Sequence, residues 1–509
     1  MTDSNPNQQT SQSVQPKGES GGFAKDVIKL TSGTTLAQAL TLLAAPIFYR
    51  IFPPEAYGTA AVFTSITSII GIISSLRYEF AIVLPEKDED AANVFAVSLA
   101  AVVAVTVGSG LVLMLLAPYM LAWLNAPDLK PYLWLVPLNI LVTGGFRALT
   151  HWNTRTRQFG RLSIARVFGA VMVIALQAVV ILFGAIHAGG VILASIGGLA
   201  ISAVVLGLQI WRDDSHLFIS SIRWRSMIDS LVRYRKFPLI DSWGGFLNNL
   251  SWQLPPLLLS ALFSSVAAGY YSLAYRLIHL PMSLIGASIA QIFFQRASAA
   301  SNDRDTLIHT VKSVFERLTA LGLLPSILIT LVGPELFVFV FGENWLESGK
   351  YVQILGIWMF FWFISSPLST IFTIKERQEL SLLLHIVILG TRAISLLIGG
   401  YYGNVYLALL LFSGSGVLVY GGLAFWNMYL TGISWKYMFT TIIKFCLYSV
   451  PIAIILLVLK FGFHSPSWLI FVASGIATVV YYLWLLRKDE ILWGFFNRQL
   501  SHFSFRRAN

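Results

Sequence analysis

Cysteine and charge are scarce in this chain of 509 residues. The single cysteine, Cys446, excludes an intrachain disulfide and a cysteine-rich metal site. Only 12% of the residues are charged, whereas an ordinary soluble domain has about 25%. No GxxxxGK[ST] sequence occurs, which excludes an ATP-hydrolysing loop of that type. We therefore expect no cofactor, no metal site and no catalytic residue.

Long apolar stretches fill the chain instead. A bilayer core of about 30 Å needs roughly 20 helical residues, and fourteen stretches come close to that length or exceed it. The sequence therefore predicts an all-α polytopic membrane protein with about 14 transmembrane helices. The predicted spans are Leu30–Phe52, Ala60–Leu76, Asn93–Leu116, Tyr132–Leu149, Val167–Ala185, Val191–Trp211, Phe237–Phe263, Ala267–Phe294, Val314–Phe341, Tyr351–Thr373, Leu380–Gly400, Val405–Met428, Phe439–Phe461 and Ser467–Leu486.

The two halves of the chain share a weak internal repeat. In the first half, an apolar span follows Pro46, a short connection and Gly58. The same order of proline, short connection and glycine occurs six spans later, at Pro256 and Gly269. We expect two parallel six-helix lobes followed by two extra helices, an organisation found in transporters. The predicted segments are a disordered cytoplasmic tail (1–29) without a cleavable signal peptide, an N-lobe (30–211), a cytoplasmic linker (212–236), a C-lobe (237–428), the two C-terminal spans (429–486) and a cytoplasmic tail (487–509).

Lysine and arginine predict the orientation. With the N-terminus inside, 26 of the 35 basic residues lie in cytoplasmic segments, and only Lys130 and Lys350 lie in outer loops. Basic residues are retained on the cytoplasmic side, so both termini are predicted to be cytoplasmic. The net charge of +11 is spread over many short loops, which argues against nucleic acid as a partner.

The linker 212–236 carries six basic residues. Its apolar residues Trp224, Met227, Ile228 and Leu231 recur at roughly helical spacing. Two interpretations stay open: an amphipathic helix on the inner leaflet, attracted by anionic headgroups, and a solvated linker.

Polar residues form stripes on the first two spans. They are Thr31, Thr34, Gln38 and Thr41 on the first, and Thr64, Ser68, Gly71, Ser75 and Tyr78 on the second. These stripes favour the lining of a hydrated cavity, and close helix packing is the alternative.

Two arginines fall inside predicted spans. Arg276 lies on one helical face with His279, and Arg392 lies near the middle of its own span. An arginine at the bilayer centre costs at least about 2.5–3.5 kcal/mol, so it normally faces a partner or a wet cavity. We expect Arg276, His279 and Arg392 to bind an anionic substrate, because guanidinium matches phosphate geometry. A structural ion pair is the alternative.

Asp241 is a carboxylate at the inner end of the seventh span, with Asn248 two turns further on the same face. Their oxygens suit a hard cation, so we predict that this pair couples transport to a proton or sodium gradient. The alternative is that Asp241 pairs with the basic stretch Arg233–Lys236.

Several segments together resemble one protein family. Ser75–Leu99 reads SLRYEFAIVLPEKDEDAANVFAVSL, Gly269–Ser298 reads GYYSLAYRLIHLPMSLIGASIAQIFFQRAS, and Phe341–Trp345 reads FGENW. From Phe23 to about Met428 the chain resembles bacterial polysaccharide flippases of the multidrug/oligosaccharidyl-lipid/polysaccharide exporter superfamily. Arg77 falls in the recurring RYE segment of that family.

The resemblance implies an inner-membrane protein with two lobes about a central, often cationic cavity. It implies that a polyprenyl-pyrophosphate-linked oligosaccharide moves from the cytoplasmic to the periplasmic leaflet, with Arg77 among the substrate-binding residues. The expected partners are the lipid-linked glycan, membrane lipids, and the polymerase and export enzymes of the same pathway. A multidrug/cation antiporter of the superfamily and a membrane polysaccharide polymerase or ligase are the alternatives.

The orientation leads to a first prediction. A reporter fused after Gly400 should be active outside the inner membrane, and one fused after Asn509 should be active in the cytoplasm. Paired alkaline phosphatase and green fluorescent protein fusions measure both positions. The opposite result at either position would overturn the topology.

Overall fold

A computed structural model describes residues 19–282, 286–300, 303–374 and 378–488. This part of the chain is helical and contains no β-strand, so the all-α class is confirmed. Of the predicted tails 1–29 and 487–509, residues 1–18 and 489–509 lie outside the described residues. Residues 19–29, also assigned to the tail, are instead helical, and the sequence shows why: Phe23, Val27 and Leu30 recur at helical spacing.

We group the described helices in chain order, calling the first six the N-lobe and the eight from Ser242 to Leu430 the C-lobe, with one helix between them and two after them. The N-lobe contains α1 (Glu19–Ile51), α2 (Pro54–Gly71), α3 (Asp88–Trp123), α4 (Leu135–Arg155), α5 (Phe159–Leu182) and α6 (Ala188–Ser221), and α7 (Trp224–Arg233) follows it. The C-lobe contains α8 (Ser242–Leu262), α9 (Ser265–Pro281), α10 (Ala287–Ala299), α11 (Arg304–Phe341), α12 (Leu346–Leu368), α13 (Ile371–Ile374), α14 (Gln378–Tyr401) and α15 (Val405–Leu430), and α16 (Trp435–Leu457) and α17 (Ser467–Lys488) complete the bundle.

Local sequence signals set the helix boundaries. Ser264, Asn404 and Ser434 cap α9, α15 and α16 by accepting a backbone N–H bond through the side chain. Pro54 occupies the first position of α2, where its missing N–H costs nothing. α9 ends at Pro281 and α10 begins at Ala287, both inside the predicted span Ala267–Phe294, and residues 283–285 between them lie outside the described residues.

Nine helices in the described residues are long and apolar enough to cross a membrane. The predicted count of fourteen is therefore not confirmed. The other five predicted spans fall on α1, α2, α4, α8 and the pair α9 and α10. Two of these helices, α9 and α10, have 17 and 13 residues and are each shorter than the roughly 20 residues that a bilayer requires. The helices α1, α2, α4 and α8 carry polar or charged residues of the cavity described below.

The linker contains a short amphipathic helix, α7, and α6 extends ten residues beyond the predicted end of its span at Trp211. Along α7 the side chains of Trp224, Ile228 and Leu231 are exposed by 76%, 46% and 48%. An apolar face of this kind is typical of a helix lying at a membrane surface.

The two C-terminal helices pack against α11. Leu324 and Leu328 of α11 form one buried cluster with Leu456, Ile470 and Tyr481. At one end of this contact the Lys460 Nζ atom lies 3.0 Å from a Glu335 carboxylate oxygen, and both side chains are largely buried. The paired charges compensate each other in a medium that solvates neither of them.

The two lobes meet most closely where the repeated glycines lie. A Cβ atom at Gly58 would stand 1.8 Å from the Ser265 carbonyl oxygen, and one at Gly269 would stand 2.3 Å from the Pro54 carbonyl oxygen. The backbones of α2 and α9 therefore touch directly, as small residues allow in membrane helices.

This contact leads to a prediction. Gly58→Ala and Gly269→Ala should each destabilise the protein by about 1–3 kcal/mol, because the added methyl group overlaps backbone that cannot move aside. Thermal unfolding of the purified protein in detergent measures the loss. Gly108→Ala in α3 is the matched control, since no atom lies within 4 Å of its added Cβ. Equal unfolding temperatures for all three variants would contradict the contact.

Candidate functional site

A cavity of about 580 Å³ lies between the two lobes. Its walls come from α1, α2, α4, α5 and α6 on one side and from α8 and α9 on the other. Polar side chains line much of it, including Thr41, Thr64, Ser68, Asn139, Gln177 and Gln253. Three of the residues in the predicted stripes, Thr41, Thr64 and Ser68, thus face the cavity.

Aromatic rings close the cavity at the end away from α7. The rings of Tyr49 and Tyr57 stack with centroids 4.0 Å apart, and Trp345 packs edge-on against both. The Trp345 indole N–H also donates to the Tyr49 carbonyl oxygen at 2.5 Å. Together with Phe341, which contacts Tyr49, these residues form what we call the aromatic cap. It joins α1 and α2 to the far end of α11 and the start of α12.

Arg276 lies beneath the aromatic cap, on α9, and lines the cavity. Its side chain is exposed, and the phenol groups of Tyr49 and Tyr57 lie close to its guanidinium. Phenol groups orient a guanidinium without neutralising it. Arg276 therefore places a positive charge in the cavity, as predicted from its position in the span.

Arg147 of α4 is a second cation in the cavity lining, and sequence analysis overlooked it. Its Nη1 atom donates to the Gly71 carbonyl oxygen at 3.1 Å, and Glu79 is its nearest carboxylate. Its signal was present in the sequence, since Arg147 also lies within a predicted span. Among the described residues that line the cavity there is neither aspartate nor glutamate.

Arg77 lies at the α7 end of the bundle and bridges the lobes. Its Nε atom is 2.8 Å from an Asp241 carboxylate oxygen, and its guanidinium lies 4.4 Å from the Phe80 ring centroid. Asp241 thus pairs with Arg77 rather than with Arg233–Lys236. The predicted partner Asn248 is exposed, and in the described ranges no three metal-ligating side chains come together. Ion coupling through Asp241 and Asn248 stays a prediction.

Glu79 is a further buried carboxylate near this end, and its side chain is 1% exposed. It accepts a hydrogen bond from the Ser75 hydroxyl, and Arg77, Arg147 and His151 provide its charged surroundings. Sequence analysis had assigned Asp241 as the carboxylate of interest. Glu79 lies in a 3₁₀ helix, Tyr78–Val83, which buries its side chain. Sequence analysis missed this burial because it searched for the periodicity of α-helices.

Arg392 is not in the cavity lining, although sequence analysis expected it there. Its side chain is 3% exposed and donates to the Ser251 carbonyl at 2.8 Å and to the Tyr420 hydroxyl at 3.1 Å. Its guanidinium stacks 4.0 Å from the centroid of Trp252. The cation is satisfied by oxygen atoms and aromatic faces, so it needs neither water nor a carboxylate.

His279 lies one turn beyond Arg276 and is half-buried. Its ring packs 5.7 Å from Tyr275 and 5.6 Å from Trp362. The structure therefore packs His279 against aromatic rings, and His279 is not among the residues that line the cavity. Its role in substrate binding stays a prediction.

Comparison with known proteins agrees with this architecture. A family model described as polysaccharide biosynthesis protein matches residues 47–350. The chain belongs to this family. It is also similar to the lipopolysaccharide biosynthesis protein WzxC of Escherichia coli (strain K12), with 22% identity over 271 residues. This match spans 51% of the chain and about half the length of the curated relative.

Solved structures share the fold. The lipid II flippase MurJ in an inward-closed conformation superposes with a TM-score of 0.69 at 14% identity, covering 93% of this chain and 100% of MurJ. An inward-facing multidrug resistance MATE family transporter of the MOP superfamily gives 0.65 at 16% identity, covering 80% and 98%. These structures show the fold of the chain, and the family model confirms the resemblance to polysaccharide biosynthesis proteins that was drawn from the sequence. With its long apolar helices, the protein is a multi-pass membrane protein.

The ion pair between the lobes leads to a prediction. Arg77→Asp and Asp241→Arg should each lower the free energy of unfolding by about 1 kcal/mol, because like charges then face each other. Thermal unfolding of the purified protein in detergent measures the loss. The double variant should recover most of the loss. Aspartate tolerates the left-handed backbone at position 77, where φ is 65°.

Asp88→Asn is the control for this experiment. It breaks an ion pair with Arg155 that lies within the N-lobe alone, so its effect on the free energy of unfolding should add to that of Arg77→Asp without any recovery. If the double variant is as defective as the worse single variant, the two charges do not act on each other.

Proposed function

We propose that this protein flips a polyprenyl-pyrophosphate-linked oligosaccharide from the cytoplasmic to the periplasmic leaflet of the bacterial inner membrane, for cell-surface polysaccharide biosynthesis. The observation that carries the proposal is the sign of the cavity charge. Arg147 and Arg276 line a polar cavity between the lobes, and its described lining contains no carboxylate.

Guanidinium groups suit a pyrophosphate. Each offers planar, paired N–H donors that match two phosphate oxygens, and a charge-assisted bond of this kind is stronger than a neutral one. The interior of a membrane protein strengthens the attraction further, because little water screens it. Arg276 is the better placed of the two, since phenol groups orient it and leave its charge available.

A multidrug/cation antiporter of the same fold is the main alternative. An organic cation would require carboxylates where this cavity presents arginines. The carboxylates near the cavity are occupied, since Glu79 accepts from Ser75 and Asp241 pairs with Arg77. The charge of the cavity thus favours an anionic cargo. A polymerase or ligase is disfavoured because the family and the fold support a transporter.

The size of the cavity fits the head of such a lipid. A volume of about 580 Å³ lies within the range of about 300–1,000 Å³ that is usual for ligand sites. It accommodates the pyrophosphate and the nearest sugars, while the polyprenyl chain stays in the bilayer. The polyprenyl chain is apolar, so keeping it in lipid avoids the unfavourable free energy of exposing it to water.

Alternating access would use the two contacts between the lobes. The aromatic cap and the backbone contact of α2 with α9 hold the end away from α7 closed, whereas the Arg77–Asp241 pair is a polar contact at the other end. Opening the end at the aromatic cap requires the cap to separate while the Arg77–Asp241 pair stays formed. We propose that rocking about this axis carries the headgroup across, driven by an ion gradient, the membrane potential or consumption of the product.

The proposal predicts a loss of export in two variants. Arg276→Ala and Arg147→Ala should each weaken substrate binding by about 1.5–3 kcal/mol, or roughly tenfold to a hundredfold, because each removes a charge-assisted hydrogen bond to phosphate. Arg→Lys at either position should restore part of the export, since a point charge lacks paired donors. Surface glycan on intact cells, normalised to the membrane content of the protein, measures the effect.

Arg212→Ala is the matched control. This side chain is 77% exposed and pairs with the adjacent Asp213, so its removal should leave export unchanged. Wild-type export by both cavity variants would refute the assignment of Arg147 and Arg276 to the substrate.

A further inference from the structure

Aromatic rings form the C-lobe wall of the cavity, next to Arg276. Trp252 of α8 and Tyr275 of α9 both line the cavity, and their ring centroids are 6.0 Å apart. Tyr271 also lines the cavity, with its ring 5.9 Å from Tyr275, and the ring of Trp362 packs 5.0 Å from Trp252 outside the lining. Trp252 and Tyr275 are half-buried, so part of each ring faces the cavity.

This wall differs from ordinary helix packing because it borders a polar space. Gln253 and Ser272, which adjoin Trp252 and Tyr271 in the chain, line the same cavity. An aromatic surface rimmed by hydrogen-bonding groups suits a ligand with an apolar face and a polar edge. A pyranose ring has this construction, since its C–H bonds crowd one face and its hydroxyl groups lie at the rim.

Arg392 holds this wall from outside the cavity. Its guanidinium lies 4.0 Å from the Trp252 ring centroid, while its Nη1 atom donates to the Ser251 carbonyl at 2.8 Å and to the Ser251 hydroxyl at 3.1 Å. The same side chain therefore fixes both the ring of Trp252 and the backbone just before it. Its Nη2 atom donates to the Tyr420 hydroxyl, which ties the assembly to α15.

We propose that Trp252 and Tyr275 form a glycan-stacking subsite beside Arg276, and that Arg392 is a positioning residue that orients Trp252. The inference rests on the proposed function and deepens it. Arg276 binds the pyrophosphate common to every lipid carrier, whereas the two rings bind the first sugars. Adjacent positions in the chain, 275 and 276, thus serve the two chemically different parts of one substrate.

Binding of two lipids separates these roles. One probe is undecaprenyl pyrophosphate without sugar, and the other is the pool of polyprenyl-pyrophosphate oligosaccharides extracted from cells depleted of this protein. Dissociation constants are measured with purified protein in nanodiscs. Trp252→Leu and Tyr275→Leu should weaken binding of the glycosylated lipid about tenfold and leave undecaprenyl pyrophosphate within twofold of wild type. Arg276→Ala should weaken binding of both lipids.

Arg392→Met should reproduce the selective loss of Trp252→Leu, and Arg392→Lys should recover part of it. A purely structural defect would weaken both lipids together, so the selectivity reports positioning. Trp224→Leu is the matched control, because Trp224 lies on α7 with 76% of its surface exposed. It should change neither binding constant.

Each outcome has a defined meaning. If the wild-type protein binds the lipids and Trp252→Leu weakens both equally or neither, the glycan subsite is wrong while the proposed function stands. If the wild-type protein binds neither lipid, the proposed function fails and the subsite fails with it. Should Arg392→Met not fold, the Trp252 and Tyr275 variants still decide the stacking subsite, and Arg392→Lys decides the positioning role.

Discussion

The cost of placing an arginine inside the hydrocarbon layer governs the arrangement of this bundle, because every such cation needs compensation worth several kcal/mol. The structure uses a different solution at each position. Arg392 is enclosed by aromatic faces and oxygen atoms, and Arg77 meets a carboxylate. Arg276, unlike these two, is exposed in the cavity, and the phenol groups beside it are uncharged. That difference separates a cation that stabilises the fold from one available to a ligand.

The contacts between the lobes follow a similar division. At one end small residues allow backbone to touch backbone, and an aromatic cap covers the cavity. Toward the other end the contacts are polar: the Arg77–Asp241 ion pair is half-exposed at Asp241, and the Asn249 amide donates to the Ser68 carbonyl oxygen at 2.7 Å. Apolar packing of this density resists water, whereas a polar pair can exchange its partner for solvent at small cost. The asymmetry is what a protein that opens to one side at a time requires.

The sequence predicted the fold class and the family, because the length of the apolar stretches and the motifs of the family can both be read directly from the chain. It also identified the repeated glycines Gly58 and Gly269, whose meeting at the lobe contact explains the repeat. It did not place Arg392, since helical periodicity gives the face of a residue on its own helix but not the neighbour that this face meets. Trp252 supplies that neighbour from 140 positions earlier in the chain. The span count differs because α9 and α10 are each shorter than a membrane span, and because α1, α2, α4 and α8 carry polar residues of the cavity.

The most direct test of the account follows the lipid carrier itself. Cells depleted of this protein should accumulate polyprenyl-pyrophosphate oligosaccharides in the cytoplasmic leaflet, where an added membrane-impermeant glycosidase cannot reach them in spheroplasts. Mass spectrometry of the extracted lipids, with and without glycosidase, measures both the amount and the side. Accumulation of protected lipid-linked glycan is the predicted result. No accumulation, or accumulation of glycan that the enzyme digests, would contradict the proposal that this protein carries the glycan across the membrane.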